Sequence, residues 1–200
     1  EVDLMPDYNW SLDDLPKVKK NHLNVFSCFS CGGGSTMGYK LAGYNVIGNV
    51  EIDPEMNKIY VKNNRPKFNF LMDIREFKNI PDDKISDELF DIDILDGSPP
   101  CSSFSIAGAR DEKWGVKKVF REGQKEQVLD DLFFEFLDVA EKLKPKVIIA
   151  ENVKGLVVGK AKGYVNLILK RFAQLGYQVQ LFLLNSGVMG VPQTRERVFF

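Results

Sequence analysis

The sequence predicts an α/β domain built on a doubly wound, mostly parallel sheet, and three observations predict it. Short apolar runs alternate along the chain with stretches of helical periodicity. A glycine run, Gly32-Gly33-Gly34, directly follows the first apolar run. A carboxylate, Glu51, ends the second apolar run about twenty residues further on, where a strand–turn–helix unit presents an acceptor to a ribose.

Composition bounds the class. Two hundred residues make one domain's worth of core, and 44% hydrophobic with 28% charged residues is ordinary for a globular protein. A formal net charge of −1 carries no global polyanion signal, so any nucleic-acid contact must be local or lie in parts outside these residues. No apolar run reaches membrane-spanning length, and no signal-peptide pattern opens the chain, so no membrane association is expected. Cys28, Cys31 and Cys101 cannot all pair with one another, which favours a reducing, intracellular setting. The single His22 offers no partner for a metal site, and none is expected.

In order, residues 1–22 read as a peripheral lead-in, with a capped turn near Ser11 to Leu15, and 23–200 as one cofactor-binding domain. Leu23 to Phe29 is the first strand. Ser30 to Ser35 is a tight turn, and Thr36 to Ala42 a helix. Asn45 to Val50 is the second strand, after which Asp53-Pro54 opens a helix with aspartate as N-cap and proline at its first position. Asn69 to Met72 is a third strand, followed by Asp73-Ile74. Phe90 to Leu95 alternates acidic with apolar residues and reads as a fourth. Leu129 to Leu143 has core-facing helical periodicity. Lys146 to Ala150 is apolar enough to be buried on both faces, and it delivers Glu151-Asn152-Val153 to the sheet edge. Tyr164 to Leu175 is a helix and Tyr177 to Leu184 a strand. Val198 to Phe200 reads as the opening of a strand cut short.

The stretch Asp96 to Ser105, Asp-Gly-Ser-Pro-Pro-Cys-Ser-Ser-Phe-Ser, carries the chemistry. Two prolines each fix φ and restrict the preceding residue, so Cys101 sits on a stiff turn beyond a strand's carboxyl end. That edge is where ligands bind in such sheets. An ordinary buried cysteine is the competing reading. Cys28 and Cys31 have redox-pair spacing, but the glycines that follow serve ligand approach better than disulfide exchange. Ser102 to Val128 is long for a connection. Lys113, Lys117, Lys118, Arg121 and Lys125, with Trp114 and Phe120 among them, suit a loop lying along a phosphate backbone.

Pro-Pro-Cys, Glu151-Asn152-Val153 and Gln193-Thr194-Arg195-Glu196-Arg197 together resemble the motifs of the C5-cytosine DNA methyltransferases, in the family's order, across Leu23 to Phe200. The resemblance implies a Rossmann-like, S-adenosylmethionine-dependent methyltransferase fold, incomplete at its C-terminal end. It implies S-adenosylmethionine as cofactor, S-adenosylhomocysteine as product and double-stranded DNA as partner. The implied setting is the cytoplasm of a prokaryotic cell or a phage-encoded restriction-modification system.

Residue by residue, the resemblance assigns catalysis to Cys101, Glu151, Arg195 and Arg197. It assigns the cofactor to Phe29, Ser30, Cys31, Gly32, Gly33, Gly34, Glu51, Ile52, Asp73, Ile74 and Ser98. Substrate or DNA contacts fall to Pro100, Ser105, Asn152 and Gln193, and to Lys117, Lys118 and Arg121 from the basic run. Cys31 departs from the family, which has glycine there. The family's target-recognition region does not follow Phe200, so either a longer chain or a second polypeptide would carry it. The strand Tyr177 to Leu184 is accordingly expected to lack a neighbour, and these residues alone to be inactive.

Other readings compete. A transfer RNA cytosine methyltransferase could use the same catalytic motifs. Amino-group methyltransferases carry an aromatic residue where Cys101 stands. A dinucleotide-dependent oxidoreductase would explain the glycine turn and Glu51, but neither Pro-Pro-Cys nor the paired arginines. A non-catalytic binding subunit would keep the motifs without turnover.

Overall fold

The computed structural model describes residues 11–100, 131–158 and 162–200. Its centre is a seven-stranded sheet in the order β3-β2-β1-β4-β5-β7-β6. The strands are β1 (Asn24–Cys28), β2 (Asn45–Glu51), β3 (Phe68–Leu71), β4 (Ile94–Gly97), β5 (Val147–Val153), β6 (Phe182–Asn185) and β7 (Glu196–Phe199). β1 pairs with β2 and β4, β2 with β3, and β4 with β5, all parallel, whereas β7 runs antiparallel between β5 and β6. The doubly wound α/β arrangement expected from the alternating pattern is therefore present. Its strand order reverses between β1 and β4, the position at which such sheets open a crevice.

The helices are α1 (Gly34–Leu41), α2 (Pro54–Asn64), α3 (Ile74–Lys78), α4 (Leu132–Leu143) and α5 (Lys162–Gln174). Strand alternation divides the core between the two faces. Val25 and Ile94 turn to one face and pack with Val46, Tyr39 and Tyr44. Phe26, Cys28 and Leu95 turn to the other, joining Phe77, Phe133, Phe136 and Leu137 in the main cluster. α4 supplies much of that cluster because its apolar residues recur at three- and four-residue spacing. Asp53 caps α2 through its side chain, with Pro54 at the first helical position, as expected. Ser11 forms a capping box on a short 3₁₀ helix, Leu12–Lys17. Among the described residues no helix is long and apolar enough to cross a membrane.

Three expectations fail. Phe90 and Asp91 belong to a 3₁₀ turn, Asp87–Asp91, and β4 begins only at Ile94. Leu89 and Ile92 are both buried, and their three-residue spacing suits a 3₁₀ turn where two-residue alternation would not. The strand expected over Tyr177 to Leu184 forms only from Phe182, the first residue to find a partner, Phe199. The last strand begins ahead of the expected Val198. It starts at Glu196, pairs on both sides, and continues to Phe200, whose backbone exchanges both hydrogen bonds with Ala150. Phe200 lies in the core against Phe133, so β6 does not lack the neighbour it was expected to lack.

Candidate active site

A cavity of about 480 Å³ opens at the carboxyl ends of the parallel strands, within the size range of small-molecule sites. The strand order places Asp73, Glu51, Cys31 and Ser98 along one edge, since Glu51 ends β2 and the others follow β3, β1 and β4. All four line the cavity, with Phe29, Ile52, Ile74, Pro100 and Arg195. Of the residues assigned to the cofactor, Ser30, Gly32, Gly33 and Gly34 shape the turn behind that wall. Ser30 is buried and accepts a hydrogen bond from Asn49. Gly33 is the N-cap of α1 at φ 93°, and a Cβ there would lie 2.3 Å from Asn64 Nδ2. Only glycine suits that place. Cys31 also holds a left-handed φ of 46°, which explains the value of glycine at this position.

Glu51 is tied to the turn it faces. The Cys31 N–H donates to its Oε2 at 2.7 Å, and the Asp53 N–H to Oε1 at 2.9 Å. A carboxylate offers about four acceptor positions, so capacity remains for a ribose hydroxyl. Burial pushes the Glu51 carboxyl above its ordinary range, against the backbone N–H groups that hold it down. Asp73 caps α3 by accepting from the Arg75 N–H at 2.8 Å and pairs with the Arg75 guanidinium at 3.2 Å. Arg75 reaches on to Asp131 at 2.6 Å. The remaining acceptor capacity of Asp73 suits an amino group. The apolar wall of Val50, Ile52, Met56, Met72, Ile74 and Leu132 suits a flat ring. The acceptor set and apolar wall fit an adenosine-bearing cofactor.

The second cluster lies on β5 and β7. Arg197 donates from Nε to Glu151 Oε1 at 2.8 Å, both side chains being partly exposed. Burial raises the Glu151 carboxyl above its usual range in spite of Arg197 and Arg195, which pull it down. Arg195 precedes β7 and also lines the cavity, so it stands beside both the cofactor wall and Glu151. Asn152, assigned above to the substrate, bonds within the protein. It is buried, and its Nδ2 donates to the Pro99 carbonyl at 3.0 Å, bracing the turn that leads to Cys101. Gln193 is exposed, and its backbone carbonyl accepts from the Ser186 hydroxyl. Cys101, Ser105, Lys117, Lys118 and Arg121 lie outside the described residues.

Sequence reasoning missed several wall residues. Met56 comes from α2, Met72 from the turn after β3 and Leu132 from α4, and nothing local marks them. Asp53 was legible only as a helix cap, yet it lines the cavity as well.

The model of the C-5 cytosine-specific DNA methylase family matches residues 23–200. The type II methyltransferase M.Sau96I of Staphylococcus aureus is 36% identical over 195 residues, covering 96% of this chain and 42% of that protein. M.DdeI of Desulfomicrobium norvegicum is 34% identical, covering 89% of this chain and 40% of that protein. The chain thus spans less than half the length of these relatives. Among solved structures, an E. coli prophage protein described as a DNA modification methyltransferase superposes with a TM-score of 0.67 at 26% identity, over 89% of this chain and 45% of that one. DNMT2 of Spodoptera frugiperda, at 21% identity and a TM-score of 0.60, shares the fold over 88% of this chain and 48% of that one. With a family match across residues 23–200, and Pro100, Glu151 and Arg195 among the described motif residues standing near the carboxyl ends of β4 and β5, the chain belongs to the C-5 cytosine-specific DNA methylases.

Proposed function

We propose that this chain is the catalytic part of an enzyme that methylates C5 of a flipped-out cytosine in double-stranded DNA, using S-adenosylmethionine and a covalent adduct between Cys101 and C6 of the base. The observation that carries the reading is one cavity wall. Glu51 and Asp73 line it together with Ser98, Pro100 and Arg195, so the adenosine acceptors share a cavity with the mount of the proposed nucleophile.

The residue types follow from the chemistry. C5 of cytosine is a poor nucleophile until a group adds at C6, and a thiol of pKa about 8.5 suits that addition near neutral pH. The Cys101 thiolate forms the bond to C6, and the electron pair displaced from the C5–C6 double bond makes C5 reactive. Glu151, held protonated more readily than an exposed carboxyl, donates at N3 as the adduct forms, and the raised direction of its pKa supports that role. Arg197 orients Glu151 and meets the O2 edge, while Arg195 braces the base against the cofactor wall. Bound S-adenosylmethionine supplies an activated methyl group to C5. A general base takes the C5 proton, the electron pair of that C–H bond re-forms the C5–C6 double bond and expels the Cys101 thiolate, and the N3 proton returns to Glu151. A base inside a duplex is out of reach of such a site, so it must leave the stack.

Glu51 takes the ribose hydroxyls, Asp73 the adenine amino group, and Phe29 with the backbone of Cys31 to Gly34 the methionine end. Lys117, Lys118 and Arg121 contribute phosphate contacts. The relatives are single chains more than twice as long, and target recognition is assigned to sequence beyond this match rather than to a second polypeptide. The test is methyl incorporation from labelled S-adenosylmethionine into duplex DNA by the polypeptide of the complete reading frame. The wild type should yield 5-methylcytosine, and Cys101→Ser should abolish it with cofactor binding intact. Normal turnover by the serine variant would refute the proposal.

A further inference from the structure

Asp96 is a buried carboxylate on β4 whose described hydrogen-bond partners are hydroxyls rather than a cation. Ser27 stands opposite it in the β1–β4 register, and strand alternation turns both toward the face that packs α1. Its Oδ2 accepts from Ser27 Oγ at 3.1 Å and from Ser35 Oγ at 2.8 Å, and its Oδ1 from Tyr39 OH at 3.3 Å. Ser35 and Tyr39 are four residues apart on α1 and therefore share a face. Stability alone does not call for this arrangement. Burial drives the carboxyl toward its neutral form against the three hydroxyls, and the flanking positions on that face are apolar, Val25 and Ile94. An aliphatic side chain would fill the place without the desolvation cost.

What a carboxylate adds is direction. Apolar contact lets a helix slide along a sheet, whereas hydrogen bonds to Ser35 and Tyr39 fix α1 along the strand axis. Both ends of that fixed link lead to the site. α1 opens at Gly34, directly from the turn that carries Phe29 and Cys31 on the cavity wall. β4 ends at Gly97, and the next residues are Ser98, Pro99 and Pro100, two of which line the same cavity, and then Cys101. We infer that Asp96 is a positioning residue that holds the cofactor turn in register with the strand end that mounts Cys101. The inference rests on the methyl-transfer reading. Transfer needs the donor and the nucleophile set against one flat ring, and a displacement of about 1 Å can cost roughly 10²-fold in rate.

Ser27 and Ser35 allow a matched test, because each gives one hydroxyl to the same oxygen, but only Ser35 ties α1. In the polypeptide of the complete reading frame, Ser35→Ala and Asp96→Val should lower the single-turnover rate at saturating cofactor and DNA by roughly 10- to 100-fold. Asp96→Asn, which keeps an acceptor, should recover most of that rate. Ser27→Ala should stay within about threefold of wild type, with a thermal midpoint close to that of Ser35→Ala, since each loses one comparable hydrogen bond. Equal rate losses at Ser27 and Ser35, rates that merely follow the thermal midpoints, or normal turnover by Asp96→Val would overturn the inference. Hydrogen exchange at the amides of residues 31–35 gives a readout free of turnover. It should quicken in Ser35→Ala and Asp96→Val but not in Ser27→Ala. An inert wild type showing that exchange pattern would refute methylation and leave the tether standing. An active wild type without the pattern would refute the tether alone.

Discussion

Arg197 and Glu151 meet at 2.8 Å as diagonal neighbours across antiparallel strands, for Arg197 stands opposite Val153, two residues beyond Glu151 on the same side of β5. The ion pair therefore depends on β7 inserting between β5 and β6, and so on the register that ends at Phe200. Glu151 nonetheless has a folded pKa above its ordinary value of 4.5, because burial outweighs both arginines. A carboxyl raised in this way favours the fold most at acid pH, and that contribution is lost as pH rises through the raised value. Glu151→Gln cannot ionise. Its thermal midpoint relative to wild type should therefore increase between acid and neutral pH, while methyl transfer falls by roughly 10²-fold or more. Turnover within a few-fold of wild type would remove Glu151 from the chemistry.

Cys31 holds a left-handed conformation in which a Cβ costs about 1–2 kcal/mol, partly offset by the greater unfolded-state freedom of glycine. Cys31→Gly should thus range from neutral to about 1 kcal/mol stabilising, with cofactor affinity unchanged or improved. Thermal unfolding and calorimetry measure the two. A large loss of affinity would assign the thiol itself a contact with the cofactor.

Glu51→Ala and Asp73→Ala should each weaken S-adenosylmethionine binding by about 1–3 kcal/mol, the range for hydrogen bonds to a charged group. Each should also lower the unfolding midpoint, since Glu51 holds the Cys31 and Asp53 amides and Asp73 caps α3. Unaltered affinity in either variant would move the adenosine elsewhere.

Gly97 separates β4 from α4, and a Cβ there would lie 2.5 Å from Phe136 Cε2, a ring buried in the core. Gly97→Ala should destabilise by about 1–3 kcal/mol through overpacking, and Phe136→Leu should relieve part of that loss in the double variant. Strict additivity in chemical denaturation would show that the ring is not the obstacle.

Much of the fold was legible because local rules and tertiary needs agreed. The Asp53-Pro54 helix start and the glycine turn each announce one structure and form it, and Val147 to Ala150 forms its strand, although Val147 is exposed and Ile149 only partly buried where burial on both faces was expected. The failures have a common cause in partners distant along the chain. Glu196 and Arg197 look like loop residues, yet they sit in β7 because Lys154 and Glu151 meet their charges. Residues 177–181 have a strand-like pattern, but the β7 ladder does not reach them. The site followed the same division. Glu51 and Asp73 were marked by their place after strands, whereas the bracing of Pro99 by Asn152 depends on two strands meeting and has no local signature.

The central claim is that Cys101 attacks C6 of a cytosine held beside bound S-adenosylmethionine. Duplex DNA carrying 5-fluorocytosine at the target tests it most directly, because fluorine cannot leave as the C5 proton does and the adduct persists. After incubation of the complete polypeptide with this DNA and cofactor, proteolysis and mass spectrometry should find the nucleotide attached at Cys101. Attachment at Cys28 or Cys31, or no covalent product from an enzyme that methylates ordinary DNA, would contradict it.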